Sequence, residues 1–297
     1  MRVLCVGLAT VDLVQRVDRF PAADEKIQST SASVAAGGPA TNAAVTAAAL
    51  GASVTLLTVV GSHPLGALIH ADLTARGVTV IDAAPDLTDP PPVSAVTVLS
   101  SSGTRTIVSR NAGTHSADLP PGGIPEADLT LVDGHHPVLA VAAARSASRL
   151  VVDAGSWRPV FTEVFPHAEV VACSADFRHP SAPSPSVLSP SAPLALDEAT
   201  AAAVGARKVV VTHGPDPVRW FDAGGAGFRA GTAGVWGEIT VPPVPATDTA
   251  GAGDVFHGAL CVALAQEADL QAAISYAIRI AGIRVQHPGP RDWLAHL

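Results

Sequence analysis

The residues best equipped for chemistry in this 297-residue chain are Asp248-Thr249-Ala250-Gly251-Ala252-Gly253-Asp254. They are small, turn-prone and acidic. The run that follows, Val255-Phe256-His257-Gly258-Ala259-Leu260, is apolar with helical spacing. Val255, Ala259 and Val262 share one face, and Phe256, Leu260 and Ala263 another. A loop of small residues therefore enters the first turn of a buried helix. Backbone N–H groups there lack helical partners and stand at the positive end of the dipole, a suitable place for a phosphate or a developing oxyanion. Glycines let that anion approach the backbone closely. Asp254 cannot hold the anion, but it can take a proton from a hydroxyl pressed against the same loop. The predicted chemistry is phosphoryl transfer to a small hydroxylated molecule, with the amides of Ala252, Gly253 and Asp254 as anion hole. An Asp at a helix start is also common for the dipole alone, so the reading needs the rest of the chain.

The elements that must position this loop alternate in an α/β pattern. A strand over 3–8 runs into Asp12, just past a carboxyl end, where open α/β sheets place ligand contacts. Gly37-Gly38-Pro39-Ala40-Thr41-Asn42 opens a helix, with Pro39 at its first position and Gly51 as the cap after Leu50. Asn42 lies in the first turn, where its amide can reach a sugar hydroxyl. Strand 54–60, helix 64–76 and strand 78–81 follow. Strands over 93–100 and 104–109 make a hairpin around Ser101-Ser102-Gly103. With 13–36, this hairpin is assigned to a small separate sheet, and Arg110-Asn111 return the chain to its base as candidate substrate contacts. Alternation resumes with strand 129–132, helix 138–147, strand 150–152, helix 158–165 and strand 170–172. Asp133-Gly134-His135-His136 and Asp153-Ala154-Gly155 fall at strand ends and should line one crevice. The paired histidines are not read as a metal site, because no second cluster has suitable spacing. Residues 178–196 read as an exposed loop, followed by a helix from Leu196 or Asp197, a strand over 208–211 and a hairpin of 217–221 with 226–230. Two helices, to 265 and over 269–285, finish the chain. The expected fold is a doubly wound α/β domain spanning 1–297.

Composition narrows the function classes. With 48% hydrophobic and 15% charged residues, the chain can bury a large core. A net charge of −8 and no basic block longer than two residues argue against nucleic-acid binding. Cys5, Cys173 and Cys261 are odd in number and sit in apolar runs, which predicts buried free thiols and a cytoplasmic setting. The short N-terminal apolar run reads as a strand rather than a signal peptide. Residues 27–71 carry no Asp, Glu, Lys or Arg, but glycines and prolines divide them into pieces too short to span a membrane. The P-loop, protein-kinase and dinucleotide fingerprints are all missing.

The run 248–254 resembles the C-terminal signature of the ribokinase, or PfkB, family of carbohydrate kinases. Residues 37–42 resemble its N-terminal Gly-Gly-x-x-x-Asn, and Thr212-His213-Gly214 its Val-Thr-x-Gly. The resemblance covers nearly the whole chain. It implies a ribokinase-like three-layer αβα domain with a β-sheet lid, MgATP as donor and a sugar hydroxyl as acceptor. By that likeness Asp254 is the base, and Gly251, Ala252 and Gly253 form the anion hole. Asp12, Gly37, Gly38 and Asn42 bind the sugar. Thr212 and Gly214, with Gly251 and Gly253, contact the nucleotide. Asp248 helps hold a monovalent cation such as K+, as in some members. Ionised at the helix terminus, Asp254 is expected to be a weak base, tolerable in a loose transition state.

This chain departs from the pattern in places. The family's Asn-x-x-Glu, which positions magnesium, falls where Cys173-Ser174-Ala175-Asp176-Phe177 stands, leaving Asp176 as a substitute. His63 replaces a usual Asp in Gly61-Ser62-His63-Pro64-Leu65-Gly66, and Pro215-Asp216-Pro217 lacks a second glycine. Ketohexokinase and sulfofructose kinase members look most similar. Lys26 stands where the latter has a lysine near the sulfonate. A ketose or related furanose is the expected substrate, and the lid a candidate surface for pairing with a second copy. A nucleoside kinase of the same fold would need an apolar or aromatic base pocket from the lid, which one Tyr and few aromatics supply poorly. A non-catalytic sugar-binding relative would explain the altered magnesium region but not an intact Asp254.

Overall fold

The computed structural model describes residues 1–113, 117–182, 193–224 and 234–297. The chain opens with β1 (Arg2–Val6), then leaves the main body for β2 (Thr10–Val17) and β3 (Ser31–Gly37). It returns through α1 (Pro39–Ala49), β4 (Ser53–Thr58), α2 (Pro64–Ala75) and β5 (Val78–Asp82). β6 (Val93–Leu99) and β7 (Arg105–Ser109) form the expected hairpin. Next come β8 (Leu129–Val132), α3 (Pro137–Ser146), β9 (Leu150–Ala154), α4 (Phe161–Val164) and β10 (Val170–Ser174). The last elements are α5 (Pro193–Val204), β11 (Lys208–His213), β12 (Asp216–Asp222), β13 (Val235–Ile239), α6 (Ala252–Ala265) and α7 (Leu270–Val285).

The main sheet has nine strands in the order β13-β12-β11-β10-β9-β8-β1-β4-β5. From β11 to β5 the strands pair in parallel; β12 and β13 pair antiparallel at one edge. Because both faces are covered, the strands read as continuous apolar runs. Alternate residues of β1 enter opposite cores: Val3 and Cys5 join α1, α2, α6 and α7, while Leu4 and Val6 join α3, α4 and α5. Layers of helix, sheet and helix result. The second sheet, β3-β2-β6-β7, stands apart as the lid. All three cysteines are free and buried. No helix among the described residues is long and apolar enough to cross a membrane.

Several expectations change. Asp12 is not in a loop after the first strand; that strand stops at Val6, and Asp12 lies within β2 of the lid. The helix expected over 158–165 shrinks to Phe161–Val164 plus a 3-10 turn at Phe165–His167, because Pro159 and Pro166 interrupt the backbone bonding. α5 begins at Pro193, inside the expected loop, since Pro suits a first helical turn. The strand expected over 226–230 lies outside the described residues. β12 instead pairs with Val235–Ile239, a strand the sequence reading lacks.

Candidate functional site

α6 begins at Gly251, whose φ of 70° is left-handed and whose missing Cβ permits it. Ala252, Gly253 and Asp254 follow as the first turn. The N–H of Ala252 is partly engaged by the Thr249 carbonyl at 3.3 Å. Those of Gly253 and Asp254 stand where a helix offers no carbonyl four residues back. Gly258 lets α6 close on α1, since a Cβ there would overlap the Ala43 carbonyl. That close packing aligns the first turns of the two helices, and Asn42 Nδ2 donates to Asp254 Oδ2 at 2.8 Å. The other side of the Asn42 amide is held too. Arg291 Nη1 donates to Asn42 Oδ1 at 3.2 Å, while its Nη2 donates to Asp72 at 3.0 Å and to the Ala36 carbonyl. The relay Asp72–Arg291–Asn42–Asp254 thus fixes which way the amide faces.

Arg291 is invisible to motif reading, because it lies 249 residues from Asn42. We expect Arg291→Ala to cut kcat/KM about 10–100-fold, the scale of a lost charge-assisted hydrogen bond with a partner left unpaired. Arg291→Lys should recover part of it. Steady-state kinetics on both variants checks this, and an unchanged kcat/KM in the Ala variant would remove the relay from the mechanism.

A cavity of about 480 Å³ opens over these groups. Lid residues Asp12, Val14, Ser94, Val96, Arg105, Ile107 and Ser109 cover it, with Asn111 at the lid's base. Asp12 accepts from Thr10 Oγ1 at 2.6 Å, and burial raises its pKa. Gly37 makes room for that carboxylate, because a Cβ would overlap it; a Cβ on Gly38 would meet the Leu8 carbonyl. Asp12, Gly38, Asn42, Asn111 and the 250–254 loop therefore meet in one place, as expected. The cavity is also lined by Asp153, Gly155, Ser156, Arg158, Ser174 and Thr212, at or just past the carboxyl ends of β9, β10 and β11.

The crevice residues separate into roles. Asp133 is structural: its Oδ2 accepts from the N–H groups of Leu8 and Ala40 at 2.9 and 3.2 Å, and its Oδ1 from that of His135 at 3.0 Å. Burial alone would raise its pKa, but the His135 ring at 3.1 Å and these donors leave it lowered. His135 also meets Arg158 through its other ring nitrogen. His257, buried on α6, lies 2.9 Å from Asp153 through Nδ1. Burial would lower the His257 pKa, yet Asp153 reverses this and raises it. His257 was not singled out from the sequence. Its place three residues after Asp254, on the same helix, was the available signal.

These charges bear on Asp254. Burial and the Asp153 carboxylate push its pKa up to about 6, against the pull of Asn42 and His257. Asp254 is therefore more basic than a solvated carboxylate, yet largely ionised at neutral pH. Only the ionised form takes a proton, so kcat/KM should fall tenfold per unit as pH drops below about 6. A pH–rate profile checks the position of that limb; one near pH 4 would contradict the burial of Asp254.

Other expected residues fall elsewhere. Lys26 and Asp176 are exposed and outside the cavity lining. Gly214, with φ of 62°, makes the turn from β11 into β12 and does not line the cavity. His63 caps α2, its Nδ1 accepting from the Leu65 N–H at 3.1 Å. Asp248 is buried and engaged by Arg284. Arg105, unnoticed in the sequence, reaches down from β7 and donates to Thr249 Oγ1 at 2.6 Å. No group of three or more metal-ligating side chains occurs among the described residues. Magnesium commonly keeps its waters and binds through substrate phosphates and one or two carboxylates.

A family model described as pfkB family carbohydrate kinase matches residues 1–295. The chain is 30% identical over 300 residues to the ribokinase of Bacillus subtilis (strain 168), covering 96% of this chain and 93% of that protein. It is 24% identical over 303 residues to the ketohexokinase of Mus musculus, covering 95% of each. The structure of Arabidopsis thaliana ribokinase complexed with ribose and ATP superposes with a TM-score of 0.71 at 20% identity, covering 97% of this chain and 93% of that one.

Proposed function

The chain belongs to the pfkB family of carbohydrate kinases and is a sugar kinase that uses ATP; from that premise we propose how it works and on what. Asp254 is the base for an in-line transfer of the γ-phosphoryl group from MgATP to a sugar hydroxyl. The hydroxyl lies between Asp254 and the first turn of α6, while Asp12, Gly38 and Asn42 hold the ring. Thr212 and the 251–253 backbone face the nucleotide phosphates. When bound, magnesium spreads charge over the phosphates; the chain's part is to fix the acceptor and exclude water under the lid. Positioning and charge stabilisation carry most of the rate in such a transfer.

The observation that carries this reading is the bond from Asn42 to Asp254 inside a cavity that also contains Asp12 and Thr212. The substrate is a neutral pentose or ketose. Among the described residues the lid presents Val14, Val96 and Ile107 to the cavity but no ring, and the one Trp in the lining, Trp293, comes from outside the lid, so no pair of rings is there to sandwich a base; this supports a sugar over a nucleoside. Lys26 faces solvent, so nothing built into the cavity from that position favours a sulfo-sugar. Residues 1–297 act as one kinase domain in the cytoplasm, a setting consistent with three free thiols. The outer lid face carries exposed Val34 and Val108, which suit pairing with a second copy.

The test is ADP release from MgATP against a panel of pentoses, ketoses, sulfo-sugars and nucleosides. One pentose or ketose should stimulate turnover. A nucleoside alone doing so would replace this reading with the nucleoside-kinase one. Binding of a sugar, seen by melting temperature, without any turnover would replace it with a non-catalytic role.

A further inference from the structure

The loop that leads to Asp254 contains a second buried carboxylate, Asp248, which the family resemblance marks for a monovalent cation. In this chain the oxygens around it serve a guanidinium. Arg284, on the last turn of α7, is buried with it. Its Nη2 lies 3.3 Å from Asp248 Oδ2, and its Nη1 donates to the carbonyls of Asp248 and His287 at 3.3 and 2.9 Å. The Gly289 N–H donates to Asp248 Oδ2 at 3.1 Å, and the Ala250 N–H to Oδ1 at 3.0 Å. The Thr247 and Asp248 N–H groups both donate to the Val285 carbonyl, at 2.7 and 3.1 Å. A second arginine arrives from the lid: Arg16 on β2 lies 4.0 Å from Asp248 Oδ2 and donates to the Thr247 carbonyl at 3.2 Å.

A monovalent cation needs a ring of oxygens free to turn toward it. Here the carboxylate and two carbonyls already accept from one arginine, and a metal ion among them would sit beside a buried like charge. Such a pairing is expensive in a low-dielectric interior. The residues therefore do not fit the ion that the family resemblance implies.

We propose that Arg284 is a positioning residue that serves as a built-in cation for the 248–254 loop, so that catalysis needs no monovalent metal ion. Arg284 binds the loop where it enters the first turn of α6, and so sets the direction in which the anion-hole amides point. Unlike a diffusible ion, it is present at every turnover. The inference rests on the kinase reading for its catalytic consequence, but not for its structural one.

The experiment compares ADP release in KCl, NaCl and tetramethylammonium chloride at equal ionic strength, with melting temperatures in the same buffers. Wild-type rates should agree within about twofold, and K+ should leave the melting temperature where tetramethylammonium leaves it. Activation by K+ of more than about tenfold, or a K+-specific rise in wild-type melting temperature, overturns the proposal. Arg284→Ala should lose about 100-fold in tetramethylammonium, as when a preorganised anion hole is disturbed, and regain at least about tenfold in KCl. Full activity of Arg284→Ala in tetramethylammonium would also overturn it. If the variant does not fold, the wild-type series decides. If no sugar is phosphorylated, the kinase reading has failed, and the melting temperatures still decide where the cation sits.

Discussion

Asp254→Asn should lower kcat by about 10³–10⁴-fold, towards the upper end of what a positioned general base contributes, while the sugar still raises the melting temperature of the variant. The substitution keeps size and shape. The new amide can turn its oxygen toward Asn42 Nδ2, so the 2.8 Å bond has a replacement. What disappears is the lone pair that receives the hydroxyl proton. Stability should move the other way. The folded protein holds the Asp254 pKa at about 6, above its ordinary value, so at neutral pH its ionised form is disfavoured by folding. That cost is fully present above the folded pKa and fades as pH falls through 6 toward the unfolded value. A neutral amide escapes it, so Asp254→Asn should melt at or above the wild-type temperature. A variant that loses both activity and stability would mean that Asp254 holds the loop together rather than acting on substrate.

Arg105→Ala should cost about 10²–10³-fold in kcat with a smaller change in the sugar KM. Four arginines line the cavity: Arg105, Arg158, Arg284 and Arg291. Arg284 and Arg291 are committed to Asp248 and Asp72. Arg158 lies across the cavity against His135. Arg105 is held by a neutral hydroxyl on Thr249, inside the loop that leads to the anion hole. A phosphoryl group over that loop can draw the guanidinium off the hydroxyl without breaking an ion pair. Because Arg105 belongs to the lid, charge stabilisation becomes available only when the lid covers the cavity. Arg105→Lys should recover less than half of the lost activation free energy, since an ammonium lacks the planar fork. If Arg105→Ala changes the sugar KM and leaves kcat alone, the residue is a substrate contact and nothing more.

What could be read without coordinates follows physical range. The doubly wound alternation was legible because the buried strands are rich in Val and Leu, and several helices are Ala-containing stretches with Pro at their start, as at Pro39 and Pro64. The site was legible where glycine and a polar side chain are neighbours in sequence: Gly38 with Asn42, and Gly251 with Asp254. Arg105, Arg284 and Arg291 were missed because their partners lie far along the chain, and an isolated arginine carries no periodic signal. Asp176, the substitute for the Asn-x-x-Glu that the family resemblance implies, is exposed and outside the cavity lining. β13 was missed because Val235–Ile239 is largely exposed and includes a glycine, so neither alternation nor a buried run marks it.

The relay through Arg291 gives the chain a temporal order. β1 lies in the interior of the main sheet, flanked by β8 and β4, and the sheet can begin to assemble while later segments are still being made. Asp12 and Asn42 are synthesised early and Asp254 late. Arg291 comes later still, followed by Trp293, which is buried and donates its indole N–H to the Pro290 carbonyl. A chain halted between residues 260 and 285 therefore has Asp254 and Asn42, but not the arginine that orients the Asn42 amide. At about 5–20 residues per second, the last stretch emerges within seconds. The contact that orients the Asn42 amide is therefore made by one of the last segments of this sequence to be synthesised.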